Sequence, residues 1–146
     1  MLEWAVVFGK YYGTSYQEID RIISKNKKAL IEIDVQGWQK AREKLKYAAS
    51  IFIMPPSVDS LWERLNLRGT EDKEIVIKRF NTARKELESS HNFQYFVIND
   101  DLDKAYNQIY NFITKNIPFS LSKKEGIEHS QQLLSSFKEK IYTDKK

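Results

Sequence analysis

Apolar residues recur along this chain in two alternating periods, one suited to buried strands and one to amphipathic helices. Two short aromatic-rich segments, residues 2–8 and 10–13, come first. Ser15-Tyr16-Gln17-Glu18 then places a hydroxyl at a helix cap and a carboxylate three residues on, the spelling of a capping box. Ile19, Ile22 and Ile23 predict one buried face for the helix that follows. Residues 29–34 are short, mostly apolar and end in carboxylates, which predicts a strand covered on both faces by helices. From about Gln36 the period becomes helical again through Trp38, Ala41 and Leu45. Residues 50–54 repeat the buried-strand pattern, and Pro55-Pro56 stops it. Ser57 is placed to cap a helix whose Leu61 and Leu65 face inward and which ends at Gly69. Val76, Phe80, Ala83 and Leu87 predict another helix through about Ser90. Residues 95–98 form a third buried-strand pattern, Asn99-Asp100-Asp101 a turn and cap, and Ala105, Ile109 and Phe112 a last core helix.

Strand and helix in alternation predict an α/β fold, a parallel sheet flanked by helices, with binding groups at the carboxyl ends of the strands. Glu32, Asp34, Asn99 and Asp100 all fall at such ends. Beyond Pro118 the chain turns polar, yet Leu134, Phe137 and Ile141 keep helical spacing, so a terminal helix with frayed ends is expected.

At 146 residues and 41% hydrophobic content the chain has material for one core. Without cysteine there are no thiolate metal sites, and His91 and His129 lack ligand spacing, so any metal must be held by oxygens. No apolar run approaches the roughly 20 residues that span a bilayer. The start MLEWAVVFGK lacks the order of a signal peptide, so a soluble cytoplasmic protein without membrane partners is expected. A net charge of +4 and a pI near 9.1 leave nucleic acid and small anions open as partners. No dense basic block stands out, which argues against nucleic acid and for phosphate recognition by a few placed arginines.

The strings Leu2-Glu3-Trp4-Ala5, Phe8-Gly9-Lys10-Tyr11-Tyr12-Gly13-Thr14, Ile31-Glu32-Ile33-Asp34-Val35-Gln36-Gly37, Ile53-Met54-Pro55-Pro56-Ser57, Arg64 through Arg68-Gly69-Thr70, and Val97-Ile98-Asn99-Asp100-Asp101 resemble successive motifs of the guanylate kinases. Together they span residues 2 to about 115, and their joint occurrence in that order makes the likeness specific. The resemblance implies a P-loop nucleoside monophosphate kinase-like fold. Residues 1–15 would be part of a GMP-binding subdomain, 16–117 a core with a helical lid at about 60–90, and 118–146 a polar helical tail. The implied reaction is phosphoryl transfer from ATP to GMP, giving GDP and ADP, with Mg²⁺ accompanying ATP as donor.

A guanine base presents a ring N–H beside an amino group, and a carboxylate can accept both; Glu3 resembles the family's glutamate in that role. Tyr12 resembles its GMP-phosphate tyrosine and Thr14 its base-contacting hydroxyl, with Gly13 between them, while Tyr11 and Trp4 read equally well as packing aromatics. In Glu32-Ile33-Asp34 a two-residue period puts both carboxylates on one side. The resemblance assigns that pair to GMP and to metal-bound water, with Asp34 reaching Mg²⁺ indirectly; capping of the helix near Gln36 is the alternative use of Asp34. Arg64, Arg68 and Arg79 match lid arginines that answer charge on the moving phosphoryl group, and Arg64 and Arg68 also face ATP. Asn99 resembles a contact to adenine, and otherwise reads as a turn residue.

The departure from the family is the phosphate-binding loop: no G-x-x-x-x-G-K-[ST] occurs in the 146 residues, and Gly9-Lys10-Tyr11-Tyr12-Gly13-Thr14 has its letters in the wrong order. The resemblance therefore implies a chain that lacks the N-terminal P-loop strand and is inactive by itself. Open sheet edges imply self-association. The alternative is a non-catalytic guanylate kinase-like interaction module that binds phosphorylated peptides. RNA binding fits worst, because the aromatics stand at core spacing.

Overall fold

The computed structural model describes residues 1–7, 10–67 and 72–143, with backbone alone at 3–7, 10–12 and 141–143. Among these the architecture is mixed α/β, with an antiparallel strand pair, a parallel strand pair and six α-helices. No helix among the described residues is long and apolar enough to cross a membrane. Two compact units are distinct, residues 1–48 and 49–146.

In the first unit β1 (Glu3–Val7) and β2 (Lys10–Thr14) form an antiparallel pair in which Glu3 stands opposite Thr14 and Trp4 opposite Gly13. The pairing runs one residue further through the Leu2 N–H, which donates to the Thr14 carbonyl at 2.7 Å. Helix α1 (Tyr16–Ser24) begins after Ser15, but the hydroxyl makes no capping bond. The predicted box does not form because Arg21, three residues beyond Glu18, takes its carboxylate through Nε at 2.8 Å. Ile19 is buried and Ile22 half-buried, whereas Ile23 is 58% exposed, so the buried face of α1 is narrower than the apolar spacing predicts. Asn26 stands just past the helix end at φ 55°, a left-handed position that asparagine tolerates.

Residues 29–34 form no ladder among the described residues, contrary to the strand expected there. The apolar half of the expectation holds: Ala29, Ile31 and Ile33 pack against the cluster of Leu2, Ile19 and Ala41, and Glu32 and Asp34 face solvent. Alternation follows from burial on one side, but a strand also requires a hydrogen-bonded neighbour. Helix α2 (Val35–Ala41) starts at Asp34, whose Oδ1 accepts the Gly37 N–H at 2.7 Å.

The second unit is built on β3 (Ile51–Met54) and β4 (Tyr95–Ile98), parallel and in register from Ile51 opposite Tyr95 to Met54 opposite Ile98. Buried Ser50 locks the start of this ladder: its N–H donates to Gln94 Oε1 and its Oγ accepts the Gln94 N–H, each at 3.1 Å. The connection between the strands holds α3 (Val58–Leu67) and α4 (Lys73–Glu88), as a parallel crossover demands. Ser57 Oγ accepts the Ser60 N–H at 3.0 Å and Asp101 Oδ1 the Lys104 N–H at 2.9 Å, so both predicted caps form, the second at the head of α5 (Leu102–Lys115). Val76, Phe80 and Leu87 of α4 are buried as predicted, as is Ala105 of α5.

The terminal helix α6 (Lys123–Thr143) is part of this core. Leu133 and Phe137 are its buried apolar residues, Leu134 is half-buried, and the side chain of Ile141 lies outside the described residues. Ser130 is buried beside Ser90, their hydroxyls 2.7 Å apart, and donates to the Leu87 carbonyl. Gly126 allows the helix to lie directly on Phe96; a Cβ there would meet Phe96 Cγ at 2.3 Å. The helix opens with a capping box that sequence inspection missed: Glu125 Oε2 accepts the Ser122 N–H at 2.7 Å and Ser122 Oγ accepts the Glu125 N–H at 3.2 Å.

Candidate functional site

Each unit gathers its own share of the residues singled out in the sequence. In the first, the end of β2, helix α1 and residues 29–32 line an open pocket of about 400 Å³. Gly13 and Thr14 line it from β2, Glu18 and Ile22 from α1, and Leu30 and Glu32 from the extended stretch. That volume lies within the range that holds small organic ligands. The β1–β2 register sets Glu3 across from Thr14, so one ladder rung joins two of the residues the resemblance assigns to guanine. The side chains of Glu3 and Tyr12 lie outside the described residues.

Oxygen acceptors and an apolar wall make up the lining, a combination suited to a flat heterocycle with N–H donors at its edge. Glu18, expected in a capping box, stands instead at the pocket rim, paired with Arg21. The hydrogen bond from Arg21, with the charges of Arg21 and Lys25 adding to it, holds the Glu18 carboxyl below the usual glutamate range. The spacing of Glu18 and Arg21 on one helix is the signal that could have revealed this pairing. Ile22 and Leu30 line the pocket without a signal of that kind, because their apolar character marks them equally for a core.

Asp34 stands two residues beyond Glu32 and is exposed, with one oxygen engaged in capping α2. A carboxylate has about four acceptor positions, so the cap leaves capacity for a water or a cation. The acceptor-only, exposed carboxylate is a hard oxygen donor of the kind Mg²⁺ prefers, and Mg²⁺ is ordinarily held by one or two carboxylates plus phosphates. No group of three or more His, Asp or Glu among the described residues could hold a metal by itself. The residues present therefore fit Mg²⁺ brought in with a nucleotide.

In the second unit the carboxyl end of β4 meets α3. The Asn99 N–H donates to the Met54 carbonyl at 2.8 Å, which extends the strand pairing by one residue. Arg64, exposed on α3, donates from Nη1 to the Asn99 carbonyl at 2.7 Å and from Nη2 to the Asp100 carbonyl at 3.3 Å. The structure thus brings together two sequence candidates 35 residues apart. Arg79 is half-buried on α4, next to buried Phe80. Arg68, with Gly69 and Thr70, lies outside the described residues.

A family model described as guanylate kinase matches residues 1–116 of the chain. The guanylate kinase of Neisseria gonorrhoeae is 43% identical over 112 residues, covering 77% of this chain and 55% of that protein. The guanylate kinase of Caldanaerobacter subterraneus is 43% identical over 108 residues, covering 74% and 52%. That of Idiomarina loihiensis is 34% identical over 134 residues, covering 92% and 60%. The chain spans between about half and three-fifths of the length of these curated relatives.

Proposed function

The chain belongs to the guanylate kinase family, and from that premise we propose that it serves the transfer of a phosphoryl group from ATP to GMP, giving GDP and ADP. The observation that carries this reading is the pocket of the first unit, where Gly13, Thr14 and Glu32 converge although Glu32 lies 18 positions beyond Thr14. Three residues assigned to GMP from the motif likeness line one cavity.

In this reading Glu3 accepts the guanine ring N–H and amino group, Thr14 fixes the base with its hydroxyl, and Tyr12 holds the GMP phosphate. Glu32 orients GMP from the extended stretch that lines the same cavity. Arg64, Arg68 and Arg79 neutralise charge that develops on the equatorial oxygens of the moving group, an electrostatic contribution that mutagenesis in such sites values at several kcal/mol. Asn99 contacts adenine at the end of β4. Mg²⁺ bound with ATP would add neutralisation of charge on the donor phosphates. Asp34 would hold such an ion indirectly, through a metal-bound water.

The 146 residues contain no G-x-x-x-x-G-K-[ST], and the reading therefore assigns this chain guanine selection and phosphoryl stabilisation without donor-phosphate cradling. A steady-state assay of the 146-residue chain with GMP, ATP and Mg²⁺ is expected to give turnover near background, and GMP titration to give saturable binding that AMP does not reproduce. Near-normal kcat would overturn the assignment of the missing part, and absence of GMP binding would overturn the whole. A second reading is an interaction module that binds phosphorylated peptides. Titration with a phosphoserine peptide separates the two, since Glu3→Gln weakens GMP binding and leaves a peptide phosphate unaffected.

A further inference from the structure

Helix α6 begins beyond the residues matched by the family model, yet it touches both helices that carry the described candidate arginines. Its Phe137 ring lies 4.6 Å from that of Phe80 on α4, the residue after Arg79. Phe80 in turn meets the Trp62 ring of α3 edge-on at 5.0 Å and 80°. Lys140, one turn beyond Phe137, stands with Nζ 5.6 Å from the centre of the Trp62 ring and 2.7 Å from Asp59 Oδ1. Asp59 and Trp62 are on the same helix as Arg64, five and two residues before it. The imidazole of His129 adds a hydrogen bond to the Pro55 carbonyl at 3.0 Å, close to the entry of α3.

From this geometry we infer that Lys140 is a positioning residue for Arg64. Its ammonium grips α3 through the Asp59 carboxylate and the Trp62 face, and so keeps the Arg64 guanidinium at the Asn99 and Asp100 carbonyls. Two different attractions act on one cation here. The ion pair is discounted because the Asp59 side chain is 81% exposed, but the Lys140 side chain is only 23% exposed, and the aromatic face does not depend on the exposed carboxylate. Helix α3 also makes long-range polar contacts through Arg64 itself, so loosening the Lys140 end leaves the Arg64 end less firmly placed. The consequence for nucleotide binding rests on the phosphoryl-transfer reading above; the consequence for the position of Arg64 does not.

The test uses the 146-residue chain and its Lys140→Ala, Lys140→Met and Lys140→Arg variants. Rotation of the Arg64 guanidinium is followed by NMR, with amide exchange over α3 and α6, and ATP is titrated in parallel. Lys140→Ala and Lys140→Met are expected to speed guanidinium rotation and α3 exchange about fivefold, the factor that loss of one modest interaction produces, with β3–β4 exchange unchanged. Lys140→Arg, which keeps the charge and the aromatic contact, is expected to restore both. ATP affinity is expected to fall in the same order. Unchanged Arg64 rotation in Lys140→Ala, or rescue by Met equal to rescue by Arg, overturns the assignment. Faster rotation with unchanged ATP affinity overturns its relevance to the nucleotide. Absence of ATP binding by the wild-type chain overturns the ATP contacts assigned to Arg64 and Asn99 and leaves guanine selection to the GMP titration, and the Arg64 signal still decides the positioning claim.

Discussion

Residues 29–34 and 51–54 have nearly the same sequence pattern, a short apolar run bounded by polar turns, and they end in different structures. The second pairs with Tyr95–Ile98 and is locked at its head by the reciprocal bonds of Ser50 and Gln94. The first packs its isoleucines with no ladder among the described residues, leaves its carboxylates in solvent and lends Glu32 to a pocket. Side-chain burial is written in the local sequence, whereas strand pairing depends on a distant segment. A stretch that packs without pairing keeps its polar groups available for a ligand.

The comparison breaks most severely on the paired side. Gly126→Ala places a methyl group 2.3 Å from Phe96 Cγ on β4, with Cδ2 and Cβ of the same side chain at 2.5 and 2.6 Å, and the fully buried ring has nowhere to retreat. A loss of about 2–3 kcal/mol is expected, at the upper end of overpacking costs, measured by denaturant unfolding. Amide protection of Ile51–Met54 should fall with it.

Ser50→Ala acts on the same pair with less force. It leaves the Gln94 N–H without its acceptor while the Ser50 N–H keeps its own bond, and a loss of about 1–2 kcal/mol is expected. Protection should be lost first at Tyr95, whose N–H donates to the Ser50 carbonyl.

What could be read in advance follows the same division between local and distant causes. The caps at Ser57 and Asp101 and the buried face of α4 depend on residues within a few positions, and the sequence displays them, as it displays the apolar runs at 51–54 and 95–98 although their pairing spans 44 positions. Two stretches spelled Ser-x-x-Glu show the limit of that rule. Ser122–Glu125 closes its box, while at Ser15 the nearby Arg21 competes for Glu18. On α6 the expected phase holds at Phe137 but passes to Leu133 rather than Leu134 where Gly126 and Ser130 bring the helix onto the core. Gly13, Thr14 and Glu32 were recognisable from their motifs, but the lining by Glu18, Ile22 and Leu30 was not, since each has an adequate local use. The Arg64 contact with Asn99 spans 35 residues and has no local signature.

On the unpaired side smaller effects are expected. Asp34→Ala removes the cap of α2 and should cost about 1 kcal/mol, whereas Asp34→Asn keeps an acceptor for the Gly37 N–H and should stay within a few tenths of the original stability. If Asp34 also serves a metal-bound water, Asp34→Asn will weaken Mg²⁺-dependent nucleotide binding while thermal unfolding is unchanged; equal losses in both would reduce Asp34 to its cap.

The smallest effect concerns pH. Hydrogen bonds from the Ser122 backbone and side chain hold the Glu125 carboxyl below the usual glutamate range. A depressed folded value means that the contribution is present above that range and is lost as pH falls through the lowered one. Amide protection in the first turn of α6 should decline on that acid side and stay flat in Glu125→Gln, whose amide keeps a carbonyl acceptor. Loss at higher pH would carry the wrong sign for this box.

The account turns on the unpaired stretch forming a wall of a GMP site, and amide chemical shifts during GMP titration of the 146-residue chain test this most directly. The largest changes are predicted at Gly13, Thr14, Ser15, Ile31 and Glu32, saturating together and absent with AMP, while Ile51–Met54 stays still. Shifts confined to residues 49–146, or equal shifts with AMP, would contradict it.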